Sequence, residues 1–231
     1  MKSPSELKVA LETGAATTAL VYRCAVDDSS ARATLVLAHG AGAGQRSAFM
    51  VDFAAALSDM GVDVLTFNFP YTEQRRKIPD RAPVLEACYR AVILAAHEAL
   101  DSARRALFVG GKSMGGRIAT QVAAADATLP IAGVVLLGYP LHPPGKPTER
   151  RDKHLPSVRR PMLFVQGTRD AFGTPDELSP ILAPLAPPAT LHPVAQGDHS
   201  FKLLRRDPAA QAAVYVAIQR TIVAWVRAQA P

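Results

Sequence analysis

The run Ala106-Leu107-Phe108-Val109-Gly110-Gly111-Lys112-Ser113-Met114-Gly115-Gly116 decides how this sequence is read. Residues 106–109 form a short apolar, strand-like run and Met114–Ala125 has helical period, so Gly111-Lys112-Ser113-Met114-Gly115 is G-x-S-x-G in a strand-turn-helix context. In a turn that tight, side chains flanking the serine would collide with the neighbouring strand and helix. Glycine at 111 and 115 removes those Cβ atoms and leaves the Ser113 hydroxyl exposed at the carboxyl end of a sheet. The helix behind it offers free N–H groups and a positive dipole end to an oxyanion. Gly-Lys-Ser also ends the phosphate-binding loop G-x-x-x-x-G-K-[ST], but that spacing needs glycine at 106, where Ala106 stands. The strand occupies 106–109, which leaves no loop to wrap a phosphate, and nucleotide binding is set aside.

Outward from this turn, Thr34–Ala38, Val62–Phe67, Gly133–Leu137 and Met162–Gln166 are short unbroken apolar runs, as strands buried on both faces must be. Leu7–Leu11 and Thr17–Cys24, separated at Gly14, read as an opening antiparallel pair, and Thr190–Val194 as a last strand that Pro193 assigns to an edge. Helical patterns lie between: Ala48–Met60, closed by Gly61; Val84–Leu100, entered through Pro83; and Met114–Ala125. A final helix opens at Asp207-Pro208 and sets Val214, Ala217, Ile218, Thr221 and Trp225 on one stripe. This alternation predicts a three-layer α/β fold, a mostly parallel sheet of about eight strands with helices on both faces. No repeat or linker interrupts it, so residues 1–231 are expected to form one domain without a large cap, with 141–160 a short basic flap or a loop in the lid position.

Composition narrows the class. With 48% hydrophobic and 20% charged residues the chain is of ordinary soluble, globular type. Cys24 and Cys88 are too few for a disulfide scaffold, which favours a reducing, cytoplasmic setting. The N-terminus lacks the apolar run of a secretory signal, and Glu6 and Glu12 argue against an organelle transit peptide. The longest uncharged apolar run, Ile131–Leu141, is about half of a membrane span, so no membrane association is expected. The net charge of +6 and pI near 9.6 admit nucleic acid, an anionic surface or acidic substrates as partners. Residues 71–81 carry a net +2 and residues 141–160 a net +4, so two stretches hold the whole excess.

A serine hydroxyl needs a base, and the base an orienting carboxylate. His199, in Gly197-Asp198-His199-Ser200-Phe201, lies in a turn between the last strand and the last helix; Asp170 follows directly on Met162–Gln166. Ser113, Asp170, His199 is the chain order of a hydrolase triad. Asp198 and Asp176 compete with Asp170, although Asp198 more naturally caps a turn and Asp176 a helix start after Pro175. The loop Ala38-His39-Gly40-Ala41-Gly42-Ala43-Gly44 follows an early strand, and the N–H groups of Ala41 and Met114 are the expected oxyanion donors. A dinucleotide fingerprint from Gly40 and Gly42 would need glycine at Gln45. His39 is read as a brace of that loop, and His97 and His192 as packing or surface residues. No ligand cluster has metal spacing, so neither metal nor other cofactor is expected.

The turn GKSMGG, the loop AHGAGAG, the segment LFVQGTRDAFG and the turn GDHSFK together resemble the α/β-hydrolase superfamily. They are most similar to the dienelactone-hydrolase-related branch that includes testis-expressed protein 30 and the hydrolase-like subunit of a histone-acetyltransferase complex. Residues 138–147, GYPLHPPGKP, continuing to Arg151-Asp152-Lys153-His154-Leu155, resemble a segment peculiar to that branch. The resemblance implies the fold and a Ser113–His199–Asp170 triad. Dienelactone hydrolases proper use a cysteine nucleophile, so their substrate does not carry over.

The expected activity is therefore hydrolysis of a carboxylic ester or related acyl bond by a serine hydrolase acting on a small-molecule acyl substrate. The alternative is a catalytically silent hydrolase fold that serves as a scaffold for a protein partner. Both basic stretches follow strands and should border the mouth above Ser113. Their arginines are either simply solvated or, with Arg75, Arg76, Lys146 and Arg151 first, steer or bind an anionic acyl group. Nucleic acid fits less well, because the stretches lack interleaved aromatics and only 6% of the chain is aromatic. The oligomeric state is not legible.

Overall fold

The computed structural model describes residues 3–24 and 33–230; Met1 and Lys2 of the expected domain lie outside the described residues, as do residues 25–32 and Pro231. In chain order the elements are β1 (Ser5–Ala10), β2 (Ala16–Tyr22), β3 (Thr34–Ala38), α1 (Ala48–Asp59), β4 (Asp63–Phe67), α2 (Pro70–Glu73), α3 (Ala82–Ala99), α4 (Asp101–Arg105), β5 (Leu107–Lys112), α5 (Met114–Ala125), β6 (Gly133–Leu137), β7 (Met162–Gly167), α6 (Pro175–Leu182), β8 (Thr190–Val194) and α7 (Pro208–Gln229). The strands make one sheet in the order β1-β2-β4-β3-β5-β6-β7-β8. β1 and β2 pair antiparallel, β2 joins β4 antiparallel, and β4 through β8 run parallel. Every parallel strand thus delivers its carboxyl end, and the loop after it, to one edge of the sheet.

Alternation along the central strands divides the core in two. Val36, Val109, Leu136 and Phe164 pack with Tyr89 of α3 and Ile118 of α5. Leu35, Phe108, Val135 and Leu163 pack on the other face with Phe53 of α1 and Ile222 and Trp225 of α7. The hydroxyl of Tyr89 bridges β3 and β5, donating to Val36 O or Gly110 O at 3.0 and 2.6 Å and accepting from Gly110 N at 2.9 Å. It anchors the strand that leads to Ser113.

The phase expected for the last helix changes. The buried stripe of α7 is Ile218, Ile222, Val223, Trp225 and Val226, and Ala217 is exposed, so the helix is rotated from the expected phase. By length and composition α7 is the one described helix apolar enough to cross a membrane, although here it packs against α1, β6 and β7. The stretch 141–160, expected as a flap or a lid-position loop, is tied down by its own packing and main chain. Leu155 and Val158 are buried, Arg151 N donates to Leu141 O at 2.8 Å, and the Tyr139 hydroxyl donates to Arg151 O at 2.6 Å.

Candidate active site

β5 extends to Lys112, and α5 begins at Met114, so Ser113 makes the whole turn by itself. It does so at φ 51°, ψ −115°, a left-handed conformation that costs a non-glycine residue about 1–3 kcal/mol. Ser113 N donates to Leu137 O at 3.0 Å and Ser113 O accepts from Arg117 N at 3.1 Å, which fixes the turn between β6 and α5. A Cβ on Gly111 would stand 2.5 Å from Ala38 O and 2.7 Å from the carbonyl carbon of Gly115; one on Gly115 would stand 2.5 Å from Ala38 O. Both glycines are therefore demanded by main-chain approach, as their spacing predicts.

The structure brings Ser113, His199 and Asp170 together. His199 Nε2 lies 2.8 Å from Ser113 Oγ, and Nδ1 lies 2.8 Å from Asp170 Oδ2. An ionised carboxylate only accepts, so Nδ1 carries the imidazole proton and Nε2 of the neutral ring faces the serine hydroxyl as acceptor. Asp170 is buried after β7. Its Oδ2 also accepts from Gln166 Nε2 at 2.9 Å, and its Oδ1 accepts from Phe172 N at 2.8 Å. Gln166 in turn accepts from Tyr139 N at 2.8 Å and donates to Gly173 O at 2.6 Å, tying the loops after β6 and β7 together. The sequence signal for Gln166 was a polar residue closing an otherwise apolar strand.

The competing carboxylates serve elsewhere. Asp198 Oδ1 accepts from Ser200 N at 2.7 Å and Lys202 N at 2.9 Å and so shapes the His199 turn. Asp176 is exposed in the first turn of α6, which Thr174 and Glu177 cap reciprocally. Lys112, read at first only as part of a phosphate-loop look-alike, braces the His199 turn: its Nζ donates to His199 O and lies 5.7 Å from the Phe201 ring centre. Burial pulls its ammonium down to about 8, against the opposing pull of Asp170 and Asp198. The Phe172 ring covers His199 at 4.2 Å.

Ser113 and His199 open on a cavity of about 880 Å³ walled by Phe49, Phe53, Leu85 and Phe172. Ala41 and Met114 line the same cavity, and among the described residues neither N–H is spent on a turn or loop hydrogen bond. Of the basic residues expected at the mouth, Arg151 lines the cavity and Arg75, Arg76 and Lys146 do not. Arg76 folds onto Gln74 and Asp80 at 2.8 and 2.6 Å, Lys146 onto Glu149 at 2.8 Å, and Arg75 is exposed at the end of α2. Arg117, outside both basic stretches, lines the cavity instead.

His39 is the expected brace. Its Nδ1 donates to Gly40 O at 2.8 Å, its Nε2 accepts from Phe69 N at 3.2 Å, and burial pushes its pKa down. Buried His142 contacts Glu177 at 3.0 Å and helps fasten the 141–160 segment. Among the described residues no three His, Cys, Asp or Glu side chains converge as metal ligands.

The alpha/beta hydrolase domain family matches residues 31–227. An α/β serine hydrolase without lid from Xanthomonas campestris superposes with a TM-score of 0.75 at 19% identity, covering 100% of this chain and 97% of that one. Dienelactone hydrolase from Anabaena variabilis gives 0.70 at 20% identity, with 95% and 97% covered. The esterase domain of a Rhodothermus marinus protein gives 0.71 at 15% identity, with 98% of each chain covered. At these identities the structural likeness speaks for the fold, and the family match adds membership. The chain belongs to the alpha/beta hydrolase domain family.

Proposed function

We propose that the protein is a serine hydrolase that cleaves a carboxylic ester or related acyl bond of a small-molecule substrate by way of an acyl-enzyme. The observation that supports this most directly is the unbroken hydrogen-bonded relay from Asp170 through His199 to Ser113, facing an apolar cavity. Ser113 Oγ attacks the carbonyl as His199 Nε2 takes its proton. The tetrahedral oxyanion falls to the N–H groups of Ala41 and Met114, each such donor contributing about 3 kcal/mol. His199 then returns the proton to the leaving group, and water repeats the sequence on the acyl-enzyme. Asp170 keeps the imidazole in the tautomer this requires. The GYPLHPPGKP segment, fastened by His142 and by the bond from Arg151 N to Leu141 O, is the reason to place the chain on the dienelactone-hydrolase-related branch, and the low cysteine content is the reason to place it in the cytoplasm.

A fluorophosphonate probe tests the nucleophile. Labelling of the folded wild type that is lost in Ser113→Ala is the expected result. An unlabelled wild type, or equal labelling of Ser113→Ala, would overturn the assignment and leave the scaffold reading in its place.

A further inference from the structure

Two arginines line the Ser113 cavity, and among the described residues neither has a counter-ion. Arg117 sits on α5 one turn beyond the serine, about 6 Å along the helix axis. Arg151 enters from the segment after β6, its main chain held at both polar groups by Leu141 and Tyr139. Both line the cavity, and among the described residues neither makes an ion pair. Arg117 Nε is buried without a hydrogen-bond partner. Among the described residues no carboxylate pairs with either arginine: Asp152 is taken by Arg150, Asp80 bonds Arg76 through Oδ1 while its Oδ2 is buried without a partner, Asp52 lies on α1 toward Tyr215, and Glu86 on α3 stays outside ion-pair distance. His154, packed nearby against Thr120 at 2.7 Å, is held neutral by burial and then by Arg117, its pKa down to about 4. Burial and the facing Arg151 likewise lower the Arg117 pKa. Two neighbouring cations, one with a buried unsatisfied donor, are costly to keep in a fold. A bound oxyanion offsets that cost, and the guanidinium fork is the group that best holds one.

We propose that Arg117 and Arg151 form an anion subsite in this cavity, binding a carboxylate or phosphate carried by the acyl substrate of Ser113. The proposal rests on the serine-hydrolase reading and names its substrate class: an ester or thioester with an oxyanion a few bonds from the scissile carbonyl. Carboxylate and phosphate share this chemistry.

The test compares 4-nitrophenyl butyrate with mono-4-nitrophenyl glutarate, with Ser113→Ala as the background, and measures inhibition by inorganic phosphate. In Arg117→Met and in Arg151→Gln the glutarate-to-butyrate ratio of kcat/KM is expected to fall at least about 10-fold, the loss of one charge-assisted hydrogen bond. Lys146→Ala, outside the cavity and paired only with Glu149, should leave the ratio unchanged. A selective loss on glutarate with weak phosphate inhibition assigns carboxylate, and tight phosphate inhibition lost in both variants assigns phosphate. Because the wild-type guanidinium is unpaired, Arg117→Met should melt no lower than wild type. An unchanged ratio in both cavity variants, the same drop in Lys146→Ala, or an Arg117→Met that melts more than about 4 °C lower overturns the subsite. If wild type hydrolyses neither ester, it is the serine-hydrolase reading that fails. Phosphate titrated calorimetrically into wild type and Arg117→Met then still decides the subsite.

Discussion

Asp170→Asn is the substitution on which the candidate site is most exposed to test. The carboxylate accepts three hydrogen bonds: from Phe172 N on Oδ1, and from both His199 Nδ1 and Gln166 Nε2 on Oδ2. An amide has one acceptor oxygen and one donor nitrogen, so it cannot serve all three. With the oxygen kept toward Phe172 N, the NH2 group meets the donor Gln166 Nε2 and obliges His199 to present Nδ1 as an acceptor. The imidazole proton then moves to Nε2 and points at Ser113 Oγ, where a base must be bare. With the amide flipped, Nδ2 faces the Phe172 N–H and one buried donor is left unpaired. Losing a hydrogen bond to a charged, buried acceptor costs about 2–3 kcal/mol, which in a domain of this length lowers Tm by roughly 4–12 °C. The tautomer error costs more: the same exchange in a Ser-His-Asp protease lowers kcat by roughly ten-thousand-fold, about 5 kcal/mol of barrier. Steady-state hydrolysis of a 4-nitrophenyl ester gives the kinetic term, and calorimetry on the same preparation the stability term. Asp198→Asn is the control, because an amide oxygen still accepts from Ser200 and Lys202 and the His199 turn stays formed. Retention of more than about a tenth of wild-type kcat by Asp170→Asn, or a comparable collapse in Asp198→Asn, would refute the assignment of the orienting carboxylate.

Three further outcomes follow from the same geometry. Because Ser113 sits at φ 51°, Ser113→Gly should be about 1 kcal/mol more stable than Ser113→Ala in urea unfolding; equal midpoints would mean the turn stores no strain. Gly111→Ala would force a Cβ to 2.5 Å from Ala38 O and should cost about 3 kcal/mol, whereas Gly145→Ala, at φ 72° with nothing within 4 Å of its Cβ, should cost only about 1. Melting temperatures of the pair that did not separate would remove the steric reading of Gly111. His154 has its pKa lowered to about 4 in the fold against 6.5 unfolded, so between these values the unfolded chain binds the extra proton and stability falls as pH falls. The loss approaches about 3 kcal/mol at full burial and less where water reaches the ring. His154→Gln should flatten the urea midpoint between pH 6.5 and 4, and an unchanged slope would rule His154 out as its source.

The parts legible in the sequence are those set by local chemistry. Thr34–Ala38 and Gly133–Leu137 are strands with the bounds their apolar runs give, because a buried parallel strand tolerates no polar interruption. Ser113, Asp170 and His199 could be picked out together because each follows a strand at the edge where all parallel strands end. The stripe of α7 was misread because apolarity alone admits Ala217. Against a twisted sheet the larger Ile222, Trp225 and Val226 fix the rotation, and the small Ala217 gives up its place. Gln166 looked like the end of a strand. Its work, holding Asp170 with one amide hydrogen and accepting from Tyr139 N with its oxygen, depends on two loops that meet only in three dimensions.

Charge shows the same limit in its sharpest form. The sequence located the entire positive excess in residues 71–81 and 141–160 and rightly set both beside the strands that lead to the site. A count of charges does not say which of them are already spent. Arg76, Lys146 and Arg150 are paired with Asp80, Glu149 and Asp152, all from their own stretches, so the most basic loops neutralise much of themselves. Among the described residues, and apart from Lys112, the cavity groups left without an ion pair are Arg151 from the second stretch, Arg117 and Lys202 from neither, and Asp52. Arg117 escaped notice because it stands as a single charge in GGRIA, outside the two clustered basic stretches. It is placed at the cavity only because helical geometry returns the fourth residue after Ser113 to the same face. The relevant quantity for an anionic substrate is therefore not the +6 of the chain but the local balance in the cavity, where Lys112, Arg117, Arg151 and Lys202 face Asp52 and Asp80. With Asp80 bonded by Arg76 and Lys112 turned to the His199 carbonyl, Arg117, Arg151 and Lys202 remain against Asp52, and of these the positive charge nearest the serine along the chain is Arg117, one helical turn away.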